Sequence, residues 1–158
     1  MAKLKLGYLV PIALGLNLGI LINTFVASRV VVEGVSMKPM YKNGDVLLIN
    51  KLSKAERGDI ITFNRNGKYL IKRVIGMPGD TVSIANSKVS VNGKVLKEDY
   101  INEKTFDGGN LEGMEIKLSD EEYFVMGDNR NESMDSRHFG VVKEDSIFGI
   151  RMLDLRKG

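Results

Sequence analysis

Tyr69-Leu70-Ile71-Lys72-Arg73-Val74-Ile75-Gly76 is the stretch that decides how the chain folds. It is a short run rich in β-branched and aromatic residues, which predicts a strand. Side chains alternate across a strand, so Leu70, Lys72 and Val74 share one face while Ile71, Arg73 and Ile75 share the other. If either face is core, one basic side chain must point inward. A lysine desolvated there, near another cation such as Arg73 or Arg137, loses affinity for its proton and can act as a base. The alternative is an edge strand with both cations in solvent, and these residues alone leave the two readings open.

The same texture continues on both sides. Short β-branched runs broken by glycine and polar turns predict strands over 30–33, 45–49, 59–64, 69–75, 81–85, 88–91, 94–96, 123–127 and 146–153. The body is therefore mainly β, with a spacing that suits a compact Greek-key or barrel-like sheet. Asn92-Gly93 between two of these runs predicts a two-residue hairpin, because both residues tolerate positive φ. Residues 97–120 are polar, with Asp107-Gly108-Gly109-Asn110 at their centre, and are expected to form a surface excursion.

The start of the chain has a different composition. From Leu6 to Ala27 there are 22 uncharged residues, enough at about 1.5 Å per residue to cross a hydrocarbon core of about 30 Å. A cleaved secretory leader, a buried core helix and an interfacial helix compete with this reading, but the apolar run exceeds the usual leader core. Lys3 and Lys5 precede it, which places the amino terminus in the cytoplasm by the positive-inside tendency. The expected organisation is a cytoplasmic start (1–5), one transmembrane helix (6–28) and an extracytoplasmic catalytic domain (29–158). The expected location is the cell membrane, with a single pass and the lipid bilayer as a partner.

Composition removes several function classes. The chain of 158 residues carries a formal charge of +3, and the two early lysines account for most of it, leaving the remainder at +1. That balance argues against nucleic acid as a partner. Without cysteine and with one histidine, neither a disulfide framework nor an ordinary zinc site can be built. His138 lies in a polar, turn-rich stretch, where a lone histidine is usually solvated. Glu121 and Glu122 are sequence neighbours and would point to opposite faces of a strand. No serine is followed three residues later by lysine, which removes a Ser-x-x-Lys centre.

Four blocks stand in order along the chain, around Ser36-Met37-Lys38-Pro39, Arg57-Gly58-Asp59, Lys72-Arg73 and Gly127-Asp128-Asn129-Arg130, and together they resemble the bacterial type I signal peptidases. Gly34-Val35-Ser36-Met37-Lys38-Pro39 is similar to the family's Ser-Met-x-Pro segment, and Arg57-Gly58-Asp59-Ile60-Ile61-Thr62-Phe63 to its Arg-Gly-Asp strand entry. The stretch from Tyr69 to Asp80, ending in Met77-Pro78-Gly79-Asp80, is similar to the lysine block. Gly127-Asp128-Asn129-Arg130-Asn131-Glu132-Ser133-Met134-Asp135-Ser136-Arg137 fills every specified position of the G-D-N-R-x-x-S-x-D-S-R run.

The resemblance implies a membrane-bound serine endopeptidase that removes signal peptides from preproteins after small residues, with Ser36 as nucleophile and Lys72 as general base, a mechanism that needs no metal and no cofactor. It further implies that Ser133 orients Lys72, that Asp135 and Arg137 form a supporting ion pair, and that Asp128 with Arg130 shapes the site. An extended substrate would lie beside Val35, Met37, Tyr69, Leu70 and Ile71, while Arg73, facing away from the base, is expected to matter less. Two positions depart from the family pattern. Gly34 stands where some members have a serine that helps hold the oxyanion, which leaves that work to the Ser36 backbone N–H, and Met40 stands where threonine is usual. Two other assignments compete: a self-cleaving repressor-type Ser/Lys protease, which needs a DNA-binding module, and an inactive membrane-anchored scaffold, which the presence of both Ser36 and Lys72 disfavours.

Overall fold

The computed structural model describes residues 6–21, 26–103, 106 and 108–156. A helix α1 (Leu6–Leu21) precedes a body of eleven strands. The helix has 16 residues, and every described side chain from Pro11 to Leu21 is exposed, so its apolar surface is not packed against the strands. Among the described residues no helix is long and apolar enough to cross a membrane. Residues 1–5 and 22–25, which the sequence assigns to the cytoplasmic start and the end of the membrane segment, lie outside the described residues. Ala27 and Ser28, assigned to that helix on sequence, instead open the first strand.

The strands are β1 (Ala27–Val31), β2 (Val46–Asn50), β3 (Ile60–Arg65), β4 (Lys68–Gly76), β5 (Thr81–Ala85), β6 (Lys88–Val91), β7 (Lys94–Val95), β8 (Glu115–Lys117), β9 (Glu122–Met126), β10 (Val142–Lys143) and β11 (Ile147–Arg156). They form a seven-stranded sheet in the order β1-β2-β11-β3-β4-β9-β10 and a four-stranded sheet in the order β7-β6-β5-β8, with every pairing antiparallel. The hairpin at Asn92-Gly93 joins β6 to β7, and both residues have positive φ, 51° and 74°. This is the backbone that the dipeptide favours.

Strand β4 runs through the centre of the core. Leu70 and Val74 pack with Ile61, Phe63 and Val125, while Ile71 packs with Met37, Tyr41 and Leu47. Ile75 joins Phe124 and Met126 against Val82, Ile84 and Val89 of the smaller sheet. Both faces of β4 are thus buried, and both cations with them: Lys72 is 4% exposed and Arg73 8%. The reading that leaves both cations in solvent is excluded.

Residues 97–120 are not simply a surface excursion. Glu115–Lys117 forms β8 beside β5, and Phe106 and Leu118 are buried in the core cluster of the smaller sheet. β10 also escaped the sequence reading, since two residues carry too little periodicity to register.

Candidate active site

Ser36 sits on the turn that follows β1, and Lys72 sits on β4. The Lys72 Nζ donates to Ser36 Oγ at 2.8 Å and to the Ile71 carbonyl at 3.1 Å. Burial removes the water that would stabilise an ammonium, and it pulls Lys72 down from 10.5 to about 8, against the opposing pull of Asp135 and Asp128. The expected help from Arg73 and Arg137 is not the cause. Each of those guanidiniums is paired with a carboxylate, so desolvation alone drives the shift. A hydroxyl touching a lysine with this proton affinity can be activated for attack without a histidine.

The segment after β9 holds the nucleophile turn. Asn129 donates its backbone N–H to the Ser36 carbonyl at 3.0 Å and its side-chain amide to the Val35 carbonyl at 3.2 Å. Met37, 1% exposed, plugs the core beneath the turn, and Tyr41 donates its N–H to the Met37 carbonyl at 2.8 Å. Gly127 lets the two segments meet: a Cβ there would overlap Ser133 Oγ and come within 2.5 Å of the Ser36 carbonyl oxygen. The Tyr41 hydroxyl donates to Asp154 at 2.7 Å, which ties the same turn to β11.

Three buried ion pairs surround the dyad. Arg73 is bidentate to Asp128 at 2.8 and 2.6 Å and also donates to the Gly58 carbonyl at 2.8 Å. Arg137 is bidentate to Asp135 at 2.8 and 2.9 Å, and Asp135 accepts the Gly127 N–H at 3.0 Å. Burial alone would raise Asp135, but these bonds outweigh it and hold the carboxyl below its ordinary value. Arg130 pairs with Glu98, at 2.9 and 2.5 Å.

A cleft of about 660 Å³ opens at Ser36 and Lys72, walled by residues 30–34 and Met37 on one side and 68–71 on the other. Both walls are unpaired backbone edges. β1 pairs only with β2, and β9 covers β4 only at Arg73, Val74 and Gly76. Four antiparallel steps separate β1 from β4, so the two edges run in the same direction and can hold one extended chain between them.

Comparison with known proteins identifies the family. The family described as "Signal peptidase, peptidase S26" matches residues 4–154. The chain belongs to the signal peptidase family. It is 40% identical over 155 residues to Signal peptidase I P of Bacillus subtilis subsp. natto, covering 90% of this chain and 84% of that protein. It is 43% identical over 140 residues to Signal peptidase I of Bacillus caldolyticus, covering 79% and 77% respectively. A signal peptidase I structure from Enterococcus faecalis V583 superposes with a TM-score of 0.52 at 35% identity, covering 62% of this chain and 97% of that one.

Several residues sit elsewhere in this signal peptidase than the sequence places them. Asp128 is the partner of Arg73 and not of Arg130, so Arg73 is part of the framework although it faces away from the base. Ser133 is buried, and its hydroxyl acts on Asp135, helping to hold that carboxyl low, whereas Lys72 Nζ bonds Ser36 and Ile71. Val35 holds the turn through its carbonyl, while Met37, Tyr69, Leu70 and Ile71 line the cleft. The opposite wall, 30–33, and Asn129, Glu98 and Tyr41 were not singled out. Asn129 alone carried a signal, because it lies inside the fourth block. Gly34 has φ +82° and donates its N–H to Asn43 Oδ1 at 2.9 Å, so backbone shape is a reason for glycine at this position.

Proposed function

We propose that Ser36 is the nucleophile and Lys72 the general base of this serine endopeptidase, which removes signal peptides from preproteins. The observation that carries the reading is the 2.8 Å bond between a buried Lys72 and Ser36 at the mouth of a cleft with two free strand edges. With a pKa of about 8, about one lysine in ten is neutral at pH 7. Neutral Lys72 takes the Ser36 proton as Oγ attacks the scissile carbonyl, and the oxyanion falls to the Ser36 backbone N–H. The ammonium then protonates the leaving amine, and water hydrolyses the acyl-enzyme with Lys72 again as base. Ser133 is the buried hydroxyl that receives Lys72 once its bond to Ser36 Oγ is lost. Asp135, Arg137, Asp128 and Arg130 hold the frame without touching substrate.

The substrate lies extended between residues 30–34 and 68–71, bonded through its backbone to both edges, with small side chains before the cut. The segment that begins at Leu6 and ends before Ala27 anchors the enzyme in the cell membrane, with the amino terminus in the cytoplasm and the strands from Ala27 onward outside. Two facts support the anchor: the uncharged run from Leu6 to Ala27 behind Lys3 and Lys5, and an α1 whose described apolar side chains are exposed and need a non-aqueous surrounding. The test is incubation of the full chain in detergent with a preprotein carrying an Ala-x-Ala site, with product masses determined. Wild type is expected to cut after the second alanine, while Ser36→Ala and Lys72→Ala are expected to be inert and folded. Cleavage by Ser36→Ala at the wild-type rate would refute the assignment.

A further inference from the structure

Residues 97–101 cross from the smaller sheet to the catalytic frame, and they bring Glu98 and Tyr100 to it. The Glu98 carboxylate, with its side chain 8% exposed, accepts both terminal nitrogens of Arg130, whose side chain is fully buried. Tyr100 donates its hydroxyl to Glu98 at 2.6 Å, and its ring lies 4.2 Å from the Arg73 guanidinium. Arg73 is the neighbour of Lys72 on β4.

The other end of Arg130 acts on the nucleophile side. Its Nε donates to the Gly127 carbonyl at 3.1 Å, and its own carbonyl accepts from Arg137 Nη2 at 2.6 Å. Gly127 precedes Asp128 and Asn129, and the Asn129 N–H is what holds the Ser36 carbonyl. Glu98 is thus two bonded steps from the loop behind Ser36, and Tyr100 is one contact from the residue beside Lys72. Neither lines the cleft.

We propose that Glu98 is a positioning residue for the Ser36/Lys72 pair, acting through Arg130 on the nucleophile side and through Tyr100 and Arg73 on the base side. The proposal rests on the assignment of that pair given above. A guanidinium buried without its carboxylate seeks other acceptors, and a shift of about 1 Å at a reacting centre can cost about a hundredfold in rate. Loss of Glu98 therefore slows the chemical step and leaves substrate binding unchanged.

The test compares wild type, Glu98→Gln, Tyr100→Phe and Ser36→Ala as full chains in detergent. Single-turnover cleavage of an Ala-x-Ala preprotein, with enzyme in saturating excess, reads the rate of the folded fraction alone. Glu98→Gln is expected to lower that rate about tenfold to a hundredfold, while the enzyme concentration giving half-maximal rate stays within about twofold of wild type. Tyr100→Phe removes only the bond to Glu98 and is expected to lose about threefold, which keeps the test decisive if Glu98→Gln does not fold. A Glu98→Gln protein that cuts at the wild-type rate while Ser36→Ala is inert overturns the positioning role alone. With Glu98→Gln unfolded, an unchanged Tyr100→Phe rate does the same. Cleavage by Ser36→Ala instead overturns the assignment of the pair itself.

Discussion

Replacing Lys72 by methionine is expected to abolish cleavage and, below pH 8, to make the protein more stable. A fall in pKa from 10.5 to about 8 corresponds to about 3 kcal/mol against the charged form in the folded state. Lys72 is 4% exposed, so little solvent screening reduces that figure. Methionine has similar length and no charge to desolvate, but it forfeits the bonds to Ser36 and Ile71, together worth about 1 to 2 kcal/mol. At pH 6.5 both folded and unfolded lysine are protonated, the full burial cost is present, and the variant is expected to be more stable by about 1 to 2 kcal/mol. Between pH 8 and 10.5 the unfolded chain binds the proton and the folded one does not, so wild-type stability rises with pH relative to the variant. The order is expected to reverse inside that window, at about pH 9 to 10, and to stay reversed above it. The assay is denaturant unfolding of both full chains in the same detergent at half-unit pH steps, with matched slopes as a check on two-state behaviour. Other titrating groups cancel in the difference. A difference that does not change with pH would mean that Lys72 keeps its ordinary pKa, and the reasoning from burial would fail.

Arg73→Lys is expected to cost about 2 to 4 kcal/mol of stability, because a single ammonium cannot replace the fork that satisfies Asp128 and Gly58 together. Denaturant midpoints measure it, and a loss below about 0.5 kcal/mol would return Arg73 to the peripheral role that strand alternation suggested. Gly34→Ser is expected to lower turnover or stability by about 1 to 2 kcal/mol, since φ +82° strains any residue with a Cβ even though the space is open. Faster processing by that variant would show that a hydroxyl near the oxyanion outweighs the strain.

Much of this was legible in the sequence because it was local. β4 announced itself by β-branched residues and alternation, and the hairpin by one dipeptide. The Ser36 and Lys72 blocks were recognised as contiguous words, although the two residues are 36 positions apart and only folding brings them within a hydrogen bond. What could not be read was the pairing of charges across the fold. Asp128 lies two residues from Arg130 but is bound to Arg73, 55 positions away, and Arg130 takes Glu98 from a segment that looked like surface. Composition assigned that segment by its polarity, whereas in the fold Phe106 and Leu118 anchor it, Glu98 turns its carboxylate inward onto Arg130, and Tyr100 lays its ring against Arg73. The sign of the field on Lys72 was likewise hidden. Arg73 is neutralised by Asp128, a partner the sequence reading did not name, Arg137 by the Asp135 it did name, and the carboxylates oppose the shift that burial produces.

The most direct test of a lysine base on Ser36 is the dependence of kcat/KM on pH from 6 to 10, measured on an Ala-x-Ala preprotein with the full chain in detergent. Because only neutral Lys72 can take the Ser36 proton, kcat/KM is expected to rise about tenfold per pH unit on the acid side and level off, with a midpoint near the Lys72 value of about 8. Lys72→Arg, which cannot release its proton, is expected to show no activity at any pH in the range. A flat profile for the wild type, or cleavage by the arginine variant, would contradict it.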